Sequence, residues 1–163
     1  MRSNPLWMLV GLMFSLLLAG CQTAAPQKGL SAAQIQVLKQ NGFHLNDEGW
    51  ELGLSGKVLF GNNADSINAG SRGDIERIGR ELLASGIDKL RLEGHTDSYG
   101  DADYNRQLSL RRAQAVAQVL RGVGLREENL QVIGRGMEQP VADNKTAAGR
   151  QENRRVSIIV PAP

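Results

Sequence analysis

Apolar residues recur with two different spacings along the chain, and these spacings predict the order of its elements. A spacing of three and four residues, typical of one helix face, brings together Ile75, Ile78 and Leu82. An alternating spacing, typical of a half-buried strand, places Leu90 and Leu92 on one side of the chain. Helices are therefore predicted at 32–41, 71–85 and 104–122, and extended segments at 50–60, 89–94, 129–133 and 155–160. This order predicts a two-layer α+β sandwich with a βαβαββ core, preceded by a short helical arm.

Capping signals set the expected starts of the first two helices. Ser31 and Gln34 have the spacing of a capping box, and Gly42 can take the left-handed position that ends a helix. Ser71, followed three residues later by Asp74, has a similar spacing. We therefore expect the first helix to begin after Ser31 and the second helix to begin near Ser71.

A long apolar run lies near the start of the chain. Arg2 precedes an apolar run from Leu6 to Ala19, a pattern typical of a secretory signal and too short for a membrane-spanning helix. The run ends in LAGC at 18–21, which resembles the lipobox of bacterial lipoproteins. That resemblance implies that residues 1–20 are removed and that Cys21 carries a covalent lipid, which holds the protein on a membrane without crossing it.

The residues around the cysteine refine this expectation. Gln22 follows Cys21 where an Asp would favour retention at the inner membrane, so the resemblance implies the periplasmic face of the outer membrane. Because Cys21 is the only cysteine, the chain can form no internal disulfide.

Composition limits the core and the partners. Hydrophobic residues make up 41% of the chain but aromatic residues only 4%, so the core must consist mainly of Leu, Ile, Val and Ala. The formal net charge is only +2, and acidic residues are interleaved with the basic ones, which argues against nucleic acid as a partner.

Four segments follow from these patterns. Residues 1–20 form the signal peptide, and residues 21–30 form a lipidated, flexible tether that spans about 30 Å when extended. Residues 31–50 form an N-terminal arm with a short helix, and residues 51–163 form one folded domain.

Two charged residues mark the candidate site. The sequence GHTDSYG at 94–100 follows a predicted strand, so Asp97 leaves the strand end at a place where α/β layers usually bind ligands. Arg112 lies two turns inside the next helix beside its apolar stripe, where a half-buried guanidinium needs an anion. On spacing alone, Asp97 and Arg112 either bridge each other and stabilise the fold, or bind a ligand that carries both an ammonium and a carboxylate.

Residues on the same strand could instead form a metal or catalytic site. Glu93, His95 and Asp97 alternate along one strand, which places all three on the same face. Only one other histidine, His44, exists in the chain, and no nucleophile motif accompanies it. We therefore expect no enzyme, no metal and no cofactor beyond the lipid, and we expect His95 to be a hydrogen-bonded core histidine that orients the Asp97 loop.

A further resemblance covers the chain from Val58 to Val160. The GHTD motif, Asn105, the LSxxRA motif at 108–113 and NRRV at 153–156 are similar to the OmpA-like peptidoglycan-binding domain, which has a mixed sheet. The resemblance implies that Asp97 takes the amine of diaminopimelate in the wall stem peptide and that Arg112 takes its carboxylate. It also implies lining by Thr96, Gly100, Asn105 and Leu108, an approach from the first loop by Asn63 and Asp65, and bracing of the acidic groups by Asn153 and Arg154.

The arm carries apolar side chains that the βαβαββ core does not require, namely Ile35, Val37, Leu38, Phe43 and Trp50. They either pack on the domain as a cover or grip a partner. The sequences QNGF at 40–43 and EGWELGLS at 48–55, together with the lipobox, resemble a family of envelope signalling lipoproteins. That resemblance implies sequestration of a periplasmic repressor, which releases an inner-membrane diguanylate cyclase and promotes biofilm growth through cyclic-di-GMP.

Two other functions remain open from the sequence. One is a purely structural anchor between outer membrane and wall, of the peptidoglycan-associated lipoprotein type, which would need no apolar arm. The more remote one is a metal-dependent wall enzyme. A homodimer is also left open.

Overall fold

The computed structural model of the chain describes residues 29–60 and 66–161. Its helices are α1 (Ala32–Gln40), α2 (Gly56–Phe60), α3 (Ala69–Ala84), α4 (Ala102–Gly122) and α5 (Ala147–Asn153). Its strands are β1 (His44–Asn46), β2 (Gly49–Ser55), β3 (Leu90–His95), β4 (Leu130–Gly136) and β5 (Arg155–Pro161). Within these ranges, no helix is long and apolar enough to cross a membrane. Three predicted functional residues, Cys21, Asn63 and Asp65, lie outside the described residues.

The described strands form one mixed sheet in the order β1-β2-β5-β3-β4. Strands β3 and β4 are parallel, with Leu90 opposite Leu130, and the other neighbours are antiparallel, with Glu51 opposite Ile159. The predicted two-layer sandwich with a βαβαββ core is confirmed, and β1 extends the sheet by a short edge strand.

The hydrophobic core lies between the sheet and its helices. Because side chains alternate along a strand, the register places Leu92 beside Ile158 on one face of the sheet. Both side chains are fully buried in one cluster with Ile75 and Leu82 of α3 and Leu120 of α4. The aliphatic core expected from the composition is therefore present.

The opposite face of the sheet is polar yet largely buried. Glu93 and Ser157 face each other across β3 and β5, and both side chains are almost inaccessible to solvent. The β1–β2 hairpin and residues 139–141 lie at this face and border a cavity there.

Two glycines allow α4 to lie directly against the strands. A Cβ at Gly94 would stand 1.9 Å from the backbone oxygen of Ser109, and one at Gly134 would stand 2.6 Å from the backbone oxygen of Arg106. Any larger residue at Gly94 must push α4 away from β3.

The arm packs on the domain. Leu38 is 0% exposed, and Phe43 is also buried in the main core. Ile35 and Val37 are half-buried on α1, and Trp50 is half-buried with Lys39 Nζ 6.0 Å from its ring centroid. In this structure the apolar side chains of the arm act as a cover.

Hydrogen bonds hold both ends of α1 against α3. Gln34 completes the predicted capping box with Ser31 and also donates from Nε2 to the Ser85 carbonyl (3.1 Å). At the other end, Asn41 Nδ2 donates to Glu81 (2.7 Å), and Arg77 donates to Asn41 Oδ1 (2.9 Å).

The two ends of the sheet have different neighbours. Leu30, the second described residue, lines a cleft with Ile87 and Pro161, beside the start of β3 and the end of β5. Asp97 and Arg154 lie at the other end, just after β3 and just before β5.

Several element boundaries differ from the sequence predictions. Helix α3 begins at Ala69 because Asn68 caps it by accepting the Ser71 N–H (3.0 Å), while Ser71 itself donates to the Val58 carbonyl. The extended segment predicted at 50–60 ends at Ser55, and α2 follows it. Strand β2 begins at Gly49, so the boundary expected between the arm and the domain falls inside a strand.

We predict that Gly94→Ala destabilises the protein by at least about 2 kcal/mol, because the new methyl group meets backbone rather than a movable side chain. Urea unfolding of the purified protein measures this change. Gly53→Ala is the matched control in the same sheet, because a Cβ there would meet nothing within 4 Å. Equal midpoints for Gly94→Ala and the wild type would contradict the close contact.

Candidate functional site

Asp97 stands at the junction between β3 and α4, where the carboxyl end of a sheet strand meets a helix. One carboxylate oxygen accepts the Tyr99 N–H (3.1 Å), and the other lies 2.5 Å from Nη1 of Arg154. The Asp97 side chain is 13% exposed, so this carboxylate is partly accessible from solvent. The ion-pair partner that the structure shows for Asp97 is therefore Arg154, one residue before β5.

Arg112 is positioned by the aromatic ring of Phe60. Its guanidinium carbon lies 5.2 Å from the ring centroid, within range of a cation–π interaction. Phe60 ends α2, whose first residue, Gly56, donates its N–H to the Arg154 carbonyl (2.7 Å). These contacts bring α2 and its ring to the end of the sheet where Arg154 meets Asp97. The undescribed residues 61–65, which include Asn63 and Asp65, follow Phe60 directly in the chain.

The predicted lining residues gather at the start of α4. Asn105 is buried and donates from Nδ2 to the Tyr99 carbonyl (2.9 Å), which closes the loop over the helix start. Gly100 has φ +92°, a left-handed conformation that favours glycine in this turn. Leu108 is half-buried one turn further along α4.

Thr96 is held by its backbone while its hydroxyl remains available. Its N–H donates to the Gly136 carbonyl (2.8 Å), and its Oγ1 is buried without a hydrogen-bond partner among the described residues. A buried hydroxyl of this kind is suited to a bound polar ligand.

Asn153 braces a loop instead of the acidic groups expected from the sequence. Its Oδ1 accepts the N–H groups of Val141 (2.8 Å) and Ala142 (3.0 Å), and its Nδ2 donates to the Ala142 carbonyl and to Asn144 Oδ1. Asn144 Oδ1 in turn accepts the Ser98 N–H (3.2 Å). Asn153 therefore reaches the Asp97 loop through Asn144, a residue that the sequence interpretation missed because its role depends on tertiary contact.

Glu93 is buried in an arginine-rich setting. It accepts two hydrogen bonds from Arg135 (2.7 and 3.0 Å), and Arg91 Nε lies 2.8 Å from it. Burial acts to raise the pKa of Glu93, but the hydrogen bonds from Arg135 and the charges of both arginines outweigh it and hold the pKa below its ordinary range.

His95 is buried beside Glu93 but is not hydrogen-bonded as expected. Its Nε2 lies 3.9 Å from Glu93, and its Nδ1 has no hydrogen-bond partner in the described part of the chain. Burial lowers the pKa of His95 to about 4, and the charge of nearby Arg155 acts in the same direction. The ring is therefore neutral at pH 7.

Carboxylates and histidines of the site do not assemble into a cation site. Glu93 is engaged with two arginines and Asp97 with a third. Over residues 29–60 and 66–161, no group of three His, Cys, Asp or Glu side chains could hold a metal ion.

This fold and this site define a member of the OmpA family, and the chain belongs to it: the family matches residues 59–154. Within that family the chain is similar to the outer-membrane lipoprotein YfiB of Pseudomonas aeruginosa, with 60% identity over 163 residues, 99% of this chain and 97% of the relative. A chain from Escherichia coli (strain K12) that carries the same YfiB name is 39% identical over 150 residues, 91% of this chain and 92% of the relative.

A solved structure agrees with these relatives. The cell wall anchor of the T6SS from Pseudomonas aeruginosa is similar at a TM-score of 0.65 and 28% identity, over 82% of this chain and 97% of that chain. The family resemblance and the predicted fold are confirmed. The class of outer-membrane lipoprotein is also confirmed, because it is the class of the YfiB relative that matches nearly the whole chain.

We predict that stability falls as the pH is lowered from about 6.5 to about 4. In this range His95 takes up a proton in the unfolded chain but stays neutral in the folded protein. The depressed pKa of His95 corresponds to a loss of about 3 kcal/mol in the free energy of unfolding, complete below pH 4. Urea midpoints across this range measure the slope.

Protonation of carboxylates, including Glu93, also lowers the stability of the protein on acidification. The variant His95→Gln separates the effect of His95 from theirs. It should show a shallower slope than the wild type. The matched control, His44→Gln, removes an exposed imidazole from β1 and should keep the wild-type slope. A wild-type slope in His95→Gln would contradict the assignment.

Proposed function

We propose that this outer-membrane lipoprotein binds peptidoglycan without catalysis, through the diaminopimelate residue of the stem peptide. Asp97 accepts the ammonium of that residue and Arg112 grips its carboxylate. The observation that carries the proposal is a partly exposed carboxylate at the end of β3, beside a helix whose Arg112 is fixed over Phe60. Membership of the OmpA family and the likeness to a cell wall anchor support it.

The chemistry of Asp97 suits an ammonium ligand. A carboxylate has about four acceptor positions, and among the described residues Tyr99 and Arg154 use one on each oxygen. The Arg154 side chain is 37% exposed, so it can turn toward solvent or toward an acidic group of the ligand. Asp97 can therefore accept a new N–H donor without a buried charge being left unpaired.

The neighbouring groups add specificity. Thr96 Oγ1 is a buried hydroxyl with no partner among the described residues, and Asn105 and Gly100 fix the loop beside it. Leu108 gives an apolar wall on α4. We propose that Asn63 and Asp65 complete the site from the segment after Phe60.

A lipid on Cys21 would hold this site near the wall. Several acyl chains keep a protein on a membrane where one chain does not. The tether from Cys21 to Leu30 spans at most about 30 Å. The domain would therefore stay close to the membrane while the arm is packed.

We predict that Asp97→Asn and Arg112→Ala each abolish binding of the purified protein to isolated sacculi. The first keeps the shape of the side chain and removes its charge, and the second removes the guanidinium. Sedimentation with sacculi measures binding, and urea unfolding checks that each variant remains folded.

Two exposed positions on α3 give matched controls. Asp74→Asn and Arg80→Ala remove the same charges at positions that the proposed pocket does not include, and both should bind sacculi as the wild type does. Undiminished binding by either site variant would overturn the pocket assignment.

We further propose that the arm switches between the domain and a periplasmic repressor of the YfiR type, and that sequestering it releases the diguanylate cyclase YfiN. The supporting observation is how the arm is attached. Two buried side chains, Leu38 and Phe43, hydrogen bonds at the two ends of α1 and the pairing of β1 with β2 hold it on the domain. Its release frees β1 and the first two residues of β2, while the rest of β2 stays paired with β5.

Release would also change the reach of the protein. The free chain would extend from Gln22 to Trp50, and 29 extended residues span about 95 Å, compared with about 30 Å for the tether alone. A released arm would thus expose Phe43 and Trp50 and carry the domain further from the outer membrane.

We predict that Leu38→Ala strengthens binding to a purified YfiR-type repressor, because losing a buried leucine costs about 2–5 kcal/mol and favours the released arm. Calorimetry measures the affinity. Gln36→Ala, at an exposed position of the same helix, should bind as the wild type does. If no form binds the repressor while sacculi are still bound, the protein is a structural anchor only.

A further inference from the structure

A cavity lies on the polar face of the sheet, and neither Asp97 nor Arg112 lines it. It has a volume of about 300 Å³ and is bordered by the β1–β2 hairpin on one side and by residues 139–141 on the other. This volume is at the lower end of the range for small-molecule sites. The cavity belongs to no part of the wall-binding site described above.

Two nitrogen groups at this cavity lack partners. His95 lines it, is only 3% exposed, and has an Nδ1 with no hydrogen-bond partner among the described residues. Arg155 also lines it, and its buried Nη1 is likewise unpartnered within the described ranges. The other terminal nitrogen of Arg155 makes only a long contact of 3.4 Å to the Gln139 carbonyl. Buried polar nitrogens of this kind are normally hydrogen-bonded, and a neutral imidazole can donate from Nδ1.

The carboxylates around the cavity are already engaged. Glu93 is held by Arg91 and Arg135. Glu51 accepts the hydroxyl of Ser157 (2.5 Å) and the side-chain amide of Asn46 (2.6 Å).

The two remaining acidic residues of the lining lie on the hairpin. Glu48 pairs with Arg91, and Asp47 is exposed at the rim, where solvent and salt screen its charge. Arg155, by contrast, makes no salt bridge in the described part of the chain, and the charges of Glu51 and Glu93 act on it only from beyond salt-bridge distance. Its buried Nη1 therefore lacks a hydrogen-bond acceptor among the described residues.

We propose that this cavity binds a small carboxylate, held by Arg155 Nη1 and by His95 Nδ1. A guanidinium and a neutral imidazole with its proton on Nδ1 both donate, and a carboxylate has two oxygens to receive them. Pro140 and the exposed Val141 border the opening and would contact an apolar part of the ligand. The ligand is either a free small acid or the C-terminal carboxylate of a peptide, since both present the same group.

The test titrates the full purified protein with acetate and with N-acetylglycine, and follows the ring resonances of His95 by NMR. Acetate represents a free small acid, and N-acetylglycine represents a peptide C-terminus. N-Acetylglycinamide, which has no charge, is the control ligand. Saturable shifts with either acid, and none with the amide, support the proposal, and the acid that binds more tightly identifies the source.

Variants locate the binding. Arg155→Gln should weaken binding about tenfold or more, because it removes a charge-assisted hydrogen bond. Val141→Asp adds a negative charge at the exposed rim, leaves the buried groups in place, and should also weaken binding. This second variant keeps the test decisive if Arg155→Gln does not fold. Arg112→Ala should bind the acid as the wild type does.

Three results would overturn the proposal. The first is no saturable shift with either acid, and the second is equal binding of the amide. The third is binding that is lost in Arg112→Ala but kept in Arg155→Gln, which would place the acid in the wall-binding site. Sacculus binding by Arg155→Gln should remain at the wild-type level, so failure of this proposal is distinguishable from failure of the proposed wall binding.

Discussion

The site depends on how closely α4 lies against the sheet. Gly94 on β3 and Gly134 on β4 leave no room for a Cβ between strand backbone and helix backbone. Asp97 follows β3 and Arg112 belongs to α4, so the distance between these two layers sets the relation of the two charged groups. A helix held on the backbone itself, rather than on movable side chains, fixes that relation rigidly. The geometry of the candidate site thus depends on the absence of a side chain at Gly94 and Gly134.

The sequence predicts the regular parts of this fold because their signals are local. The Ser31 capping box, the helical spacing of Ile75 and Leu82 and the alternation of Leu90 with Leu92 each correspond to an observed element. Short elements are not predicted by these local patterns. The three residues of β1 and the five of α2 are too few to show a period, and their formation depends on contacts with β2 and β5. Asn68 rather than Ser71 is the cap, because Asn caps a helix as well as Ser does and Asn68 accepts the Ser71 N–H.

Some residues of the candidate site are predicted by local motifs, and others depend on contacts between distant parts of the chain. Motif spacing makes Asp97 and Arg112 candidates for one site, and resemblance to a family adds Asn105 and the expected roles. Spacing could not reveal that Asp97 pairs with Arg154, because 57 residues separate them in the chain. Nor could it reveal that Asn153 acts through Asn144, or that His95 lies near Arg155. These relations arise only when β5 inserts between β2 and β3 in the sheet.

The tether and the Asp97 loop lie at opposite ends of the sheet, and this placement gives the protein a direction. Leu30 lies beside the start of β3, and Asp97 lies just past its end, so β3 runs from the tether toward the loop of the candidate site. In a protein anchored through its N-terminal side, this polarity points the loop away from the bilayer. The six residues of β3 alone add about 20 Å to the gap that the protein can bridge. Tension between bilayer and wall would then act along the strands and load their hydrogen bonds together, the direction in which a sheet resists being pulled apart.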